Sequence, residues 1–115
     1  MKILLVEDNP LIVSAIEREG EQKQIRTEHA SDGWKAIEKL ENDDYSAIVI
    51  DADLPRQSGF GVLTYLREEI GPNLGNVVVM TSSDRKFDEA VSVVRKTDEI
   101  SELARAVFLA CAWRE

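Results

Sequence analysis

Three short apolar runs constrain this chain most, because each is rich in β-formers and each ends in an acid or a hydroxyl. Ile3-Leu4-Leu5-Val6 runs into Glu7 and Asp8, Ala47-Ile48-Val49-Ile50 into Asp51, and Val77-Val78-Val79-Met80 into Thr81. Continuous apolar runs of this length suit strands buried on both faces, which occur in parallel sheets covered by helices. Residues 25–30 (Ile-Arg-Thr-Glu-His-Ala) alternate instead, so they predict an edge or near-edge strand, and residues 92–94 form a short fifth candidate. Between the strands lie helical stripes: Ile12, Ala15 and Ile16, weakened at Gly20; Ala36, Ile37 and Leu40, with Ser31 placed to cap; and Val62, Leu63, Leu66 and Ile70, ended by Gly71-Pro72. The last, Ile100, Leu103, Ala104, Val107, Phe108 and Cys111, keeps helical spacing throughout. Strands alternating with helices predict an α/β fold with a parallel sheet and crossover helices.

One crossover is short. Only residues 82–91 separate the third apolar run from the fifth candidate strand, whereas a crossover including its helix needs at least about 10–12 residues. A helix there must be one or two turns, or be missing.

At 115 residues the chain predicts a single domain over 1–115. A net charge of −8 opposes nucleic-acid binding and anionic membrane surfaces, both of which call for clustered Lys and Arg. No stretch reaches the roughly 18 apolar residues of a membrane span, and Met1-Lys2-Ile3 opens directly on a strand pattern, so a cytoplasmic location is expected. The single cysteine, Cys111, fits a reducing compartment and lies on an apolar stripe, which reads as an inert buried thiol.

In an open parallel sheet, ligands bind beyond the carboxyl ends of the strands. If the first and third runs pair, Asp8 and Asp51 share one sheet edge and repel unless a cation joins them; Mg2+ suits a site of few carboxylates, waters and a phosphate. Lys96 would give a point charge for phosphoryl oxygens, and Thr81 a hydroxyl donor. A carboxylate can itself be the nucleophile, forming an acyl phosphate. Positioning and charge neutralisation are most of what phosphoryl transfer requires.

The ordered segments Ile3-Leu4-Leu5-Val6-Glu7-Asp8-Asn9-Pro10, Ala30-Ser31-Asp32-Gly33, Val49-Ile50-Asp51-Ala52-Asp53-Leu54-Pro55 with Ser58-Gly59-Phe60, and Val78-Val79-Met80-Thr81-Ser82, followed by Lys96, resemble the receiver domain of two-component response regulators. The resemblance covers nearly the whole chain. It implies a flavodoxin-like three-layer sandwich with a five-stranded sheet of order 2-1-3-4-5. It implies that Asp51 accepts phosphate from a sensor histidine kinase or a histidine phosphotransfer protein. Asp8, Asp51 and the backbone carbonyl of Asp53 would bind Mg2+, and Glu7 would orient a metal-bound water. Thr81, Ser82 and Lys96 would bind the phosphoryl oxygens, with Thr81 reporting phosphorylation to a partner-binding surface.

The chain departs from the family pattern in three places. Thr97 follows the lysine where the family usually has proline, and Arg95 is a neighbouring alternative to Lys96. Val93 stands where an aromatic residue is common. The short fourth crossover trims a face through which many relatives dimerise or bind targets, so a homodimer and the downstream target stay open.

Two other functions compete. One is a degenerate receiver that binds a partner without phosphate. The other takes Asp51-Ala52-Asp53 as the nucleophile motif of a haloacid-dehalogenase-type phosphatase, which would place that motif on the first strand of a larger domain. On the leading reading the chain is no enzyme beyond its own phosphorylation and dephosphorylation at Asp51. It is a stand-alone receiver, similar to those partnering phytochrome-type or other sensor kinases, a piece of a longer protein, or an adaptor in a phosphorelay. Asp53 and Ser83 are placed to influence water attack on the phosphate. His29 reads as neither phosphodonor nor metal ligand, Trp34 as edge packing, Trp113 as either helix packing or partner surface, and the acidic runs 17–21 and 41–44 as solvated helix ends.

Overall fold

The computed structural model describes residues 1–54, 58–70, 76–84, 87 and 92–111, with the backbone alone at 58–60 and 70. The expectations placed on Pro55, Gly71-Pro72, the rest of the 82–91 crossover and Trp113 lie outside the described residues, as do the side chains of Ser58, Phe60 and Ile70. In chain order the elements are β1 (Lys2–Val6), α1 (Pro10–Gln22), β2 (Arg26–Ala30), α2 (Gly33–Asn42), β3 (Ala47–Asp51), α3 (Ser58–Ile70), β4 (Val77–Thr81), β5 (Ser92–Arg95) and α4 (Ile100–Ala110). The strands form one sheet in the order β2-β1-β3-β4-β5, with every pairing parallel.

Strand position follows composition. Every residue of β3 and β4 is buried, as their unbroken apolar runs require, whereas the alternating β2 lies at an edge and buries only Ala30 completely. Ile3, Leu5, Val49, Val78, Met80 and Val94 point to one face of the sheet, which α1 and α4 cover through Ile16, Leu103, Val107 and Phe108. Leu4, Val6, Ile48, Ile50 and Val79 point to the other, covered by α2 and α3 through Ala36, Val62, Leu63 and Leu66. This is the three-layer α/β/α sandwich, flavodoxin-like in strand order.

Two local expectations are corrected. The cap of α2 is Asp32, not Ser31: Asp32 has extended backbone and accepts the Lys35 N–H at 2.9 Å, while the Ser31 hydroxyl meets the Lys35 ammonium instead. Trp34, expected to pack at an edge, is 85% exposed at the start of α2. Gly20, read as a weak point, lies inside α1 and is buried. A Cβ there would come 2.8 Å from the Ile25 carbonyl oxygen, so glycine lets the helix approach the start of β2. Of the short crossover, Ser82, Ser83, Asp84 and Phe87 are described and none is helical; Phe87 packs against the α2–α3 side of the sheet. On that same side of β5, Val93 stays 49% exposed. Among the described residues no helix is long and apolar enough to cross a membrane.

Candidate functional site

Sheet register brings the polar strand ends together. Pairing of β1 with β3 ends at Val6↔Ile50, so Glu7 and Asp51 leave the sheet side by side. On the other flank Asp51 is level with Met80 and Thr81 with Arg95, which sets Thr81 and Lys96 just beyond. The Lys96 N–H donates to the Thr81 carbonyl at 2.8 Å and closes that corner.

Glu7 is fully buried. Its Oε1 accepts the backbone N–H groups of Asp8 (2.9 Å) and Asn9 (3.1 Å), just before the Asn9 side chain caps α1 by accepting the Leu11 N–H. Its Oε2 is buried with no hydrogen-bond partner among the described residues. Burial pushes the Glu7 carboxyl up to about 8, helped by the neighbouring Asp51 carboxylate, and opposed by the Asn9 N–H and Lys96. Asp51 is buried as well, and its Oδ1 accepts the Asp53 N–H at 2.8 Å. Asp8 is exposed, and one carboxylate oxygen each from Glu7, Asp8 and Asp51 lie within 4.8 Å of one another. Three carboxylates this close, one with an orphaned buried oxygen, fit a small divalent cation better than they fit one another.

Cationic and hydroxyl partners face this trio. Lys96 Nζ lies 2.8 Å from Asp51 Oδ1 and 3.5 Å from Asp53 Oδ2. Partial burial would lower the Lys96 ammonium, but Asp51, Glu7 and Asp53 outweigh it and hold it above its ordinary range. Arg95, the neighbouring alternative, turns outward and pairs with Asp84. The Thr81 hydroxyl accepts the Ser83 N–H at 3.2 Å, lies 3.1 Å from the Ser83 hydroxyl, and donates to Asp53 Oδ1 at 3.4 Å. The Ser82 N–H donates to Asp53 Oδ2 at 2.8 Å. Partial burial would raise the Asp53 carboxyl, but the Ser82 hydrogen bonds and Lys96 hold it below the usual carboxylate range. The arrangement is a buried carboxylate flanked by further carboxylates on one side and by an ammonium, a hydroxyl and a backbone N–H on the other, a layout suited to phosphoryl chemistry.

All seven residues singled out from the sequence thus gather at one end of the sheet. Two contacts were not foreseen. The side chain of Asp53, read only as placed to influence water attack, is at the centre of the donor group. His29, given no role, reaches the Glu7 carbonyl with Nε2 at 2.6 Å; a carbonyl only accepts, so Nε2 carries the proton. The alternating pattern of β2 placed His29 on a strand, but nothing in that pattern marks a contact between strand ends.

Comparison with known proteins agrees with this geometry. The model of the response regulator receiver domain matches residues 3–103. The alkaline phosphatase synthesis transcriptional regulatory protein PhoP of Bacillus subtilis is 30% identical over 98 residues, which are 85% of this chain and 40% of that protein, so the chain spans less than half of this relative. The Francisella response regulator 1452 receiver domain superposes with a TM-score of 0.73 at 26% identity, covering 95% of this chain and 94% of that one. TrrA of Thermotoga maritima, solved in complex with Mg2+ and BeF, has the same fold, with a TM-score of 0.73 at 22% identity over 95% of this chain and 97% of its own. A family match running from β1 into α4, on a five-stranded 2-1-3-4-5 sheet, makes this chain a member of the response regulator receiver domain family.

Proposed function

We propose that the chain is a phosphorylatable receiver in which Asp51 takes a phosphoryl group from the phosphohistidine of a sensor kinase or a histidine phosphotransfer protein. The observation that carries this reading is the setting of Asp51, buried between the Glu7–Asp8 carboxylates and the Lys96 ammonium 2.8 Å away. In the reaction an Asp51 carboxylate oxygen forms a bond to phosphorus as the phosphorus–nitrogen bond of the donor breaks. The electron pair stays with the departing imidazole, which then takes up a proton. Lys96, Thr81 and the Ser82 N–H supply positive charge and hydrogen bonds for the phosphoryl oxygens. Glu7, Asp8, Asp51 and the backbone carbonyl of Asp53 would hold Mg2+, which when bound offsets the charge of the carboxylates and the incoming phosphate.

The chain on this reading has no turnover beyond its own phosphorylation and dephosphorylation, and works in the cytoplasm, where the kinase's phosphohistidine is made. Its output is a charge event at Asp51 that biases a partner surface through Thr81. Incubation with acetyl phosphate, with and without Mg2+, followed by intact-mass measurement tests it. One phosphoryl adduct that needs both Mg2+ and Asp51 is the expected result, with acetate as the leaving group. Labelling retained in Asp51→Asn would refute the assignment. A phosphate-independent binding module is the second reading, favoured by the exposure of Val93 on the face where the crossover is short; absence of any adduct, from acetyl phosphate or from a phosphorylated kinase, would select it.

A further inference from the structure

The phosphoryl-binding donors of this site already have an occupant. Thr81 Oγ1 and the Ser82 N–H donate to one carboxylate, that of Asp53, at 3.4 and 2.8 Å, and Lys96 Nζ, 2.8 Å from Asp51 Oδ1, lies 3.5 Å from the same Asp53 carboxylate. They come from two strand ends, β4 and β5, while Asp53 follows β3 and is pinned there by its own N–H bond to Asp51 Oδ1. A carboxylate and a phosphoryl group present the same kind of atom, a partly charged oxygen, to these donors. A backbone N–H has one hydrogen, and the Thr81 hydroxyl has one proton while its oxygen already accepts from Ser83. Neither can serve Asp53 and a phosphoryl oxygen at full strength together.

We propose that the Asp53 carboxylate is a resident stand-in for the phosphoryl group, holding Thr81, Ser82 and Lys96 in place before transfer and yielding them as the phosphate arrives. The proposal rests on the phosphoryl reading of Asp51 given above. It makes Asp53 a positioning residue with two opposed effects. The donors are kept aimed at the site without phosphate, so little reorganisation remains for them. They are also engaged, so every incoming phosphoryl group must displace a charged competitor. The Asp53 side chain is 30% exposed.

Beryllofluoride with Mg2+ is the probe, since it adds to an aspartate as a phosphoryl mimic without turnover. Removal of one charge-assisted competitor bond should tighten its binding about tenfold in Asp53→Ala relative to wild type, with Asp53→Asn between the two. The initial rate of acetyl phosphate labelling should rise in the same order. A readout independent of phosphorylation is the Ser82 amide proton in a 1H–15N spectrum. It should lie downfield in the unphosphorylated wild type, move upfield in Asp53→Ala, and return downfield in that variant when beryllofluoride is added.

Equal affinity in wild type and Asp53→Ala, or a Ser82 amide unmoved by the substitution, would overturn the proposal while leaving the phosphoryl reading intact. Asp84→Asn removes one negative charge from the segment after β4 without touching the three donors; an equal gain there would assign the effect to net charge and also overturn it. If neither wild type nor Asp53→Ala takes up beryllofluoride, the phosphoryl reading itself falls, and the stand-in with it.

Discussion

Replacing Glu7 by glutamine should make the metal-free protein more stable near neutral pH, because a buried carboxyl at the centre of the site opposes folding there. Burial and Asp51 raise its pKa from 4.5 to about 8. Between those values the folded chain keeps a proton that the unfolded chain has lost, so stability falls as pH rises; it is untouched below 4.5 and its loss is complete above 8. Each pH unit in that interval removes about 1.4 kcal/mol, and the fall between pH 5 and pH 7.5 comes to about 3 kcal/mol. That is a large share of the roughly 5–15 kcal/mol that holds a domain together. No other displaced group among the described residues acts in this window. Asp53, Glu28, Asp43 and Glu99 are lowered and act in acid, while Lys2, Lys96 and the tyrosines Tyr45 and Tyr65 are raised and act above pH 10. Cys111 is pushed from 9 to about 11. Glutamine keeps an oxygen for the Asp8 and Asn9 N–H groups and offers an amide N–H towards Asp51. Urea unfolding in EDTA at pH 5, 6, 7 and 7.5 should therefore show a falling wild-type profile and a nearly flat Glu7→Gln profile. Mg2+ at about a hundred times its dissociation constant should return about 2.7 kcal/mol to wild type at pH 7.5, and less to the variant, which lacks one of three carboxylates. A flat wild-type profile, or two profiles falling in parallel, would refute the reasoning.

Three smaller predictions concern the frame around the site. Gly20→Ala should lower the urea midpoint by about 1–2 kcal/mol, since a methyl placed 2.8 Å from the Ile25 carbonyl oxygen strains packed backbone by more than the roughly 1 kcal/mol of helix propensity it gains; an unchanged or higher midpoint would contradict the close approach. Gln24, which follows the C-cap of α1 with φ 58, should be improved by Gln24→Gly by about 0.5–1 kcal/mol, read as a higher midpoint at constant slope. Cys111, buried and bonded through Sγ to the Val107 carbonyl at 3.3 Å, should react with a thiol reagent at pH 8 only at the rate of unfolding, and fast modification of the native protein would count against its burial.

The frame was readable in the sequence because hydrophobic burial sets both strand order and helix phase. β3 and β4 have no polar residue before their last, which admits only central positions, whereas Arg26, Glu28 and His29 force β2 to an edge. Helix phase followed in the same way from Ile16, Leu66 and Val107, all fully buried. Details set by a single hydrogen bond were not readable. Ser31 and Asp32 are equally good caps by type, and only the extended backbone of Asp32, with its reach to the Lys35 N–H, decides between them. Trp34 lies just off the α2 stripe, and an indole there has too few neighbours to be covered.

The site divides along the same line. A carboxylate at a strand end is visible in sequence because the strand fixes where it points, and Glu7, Asp51 and Thr81 each sit on or directly after a strand. Asp53 does not. The chain leaves β3 after Asp51 and turns, so the two-residue alternation that would govern Asp51 and Asp53 within a strand stops applying. Within an extended strand both side chains would point to the same face; in the turn, Asp53 instead bends across the carboxyl ends to the donors of β4 and β5. The sequence names those donors by type, a hydroxyl, a backbone N–H and an ammonium, all suited to any oxyanion. Which oxyanion holds them before phosphorylation depends on a turn conformation that no local pattern encodes. If Asp51 is the phosphoacceptor proposed above, the turn that carries Asp53 across to these donors, and not the Glu7, Asp8, Asp51, Thr81 and Lys96 set alone, sets how readily this chain accepts phosphate.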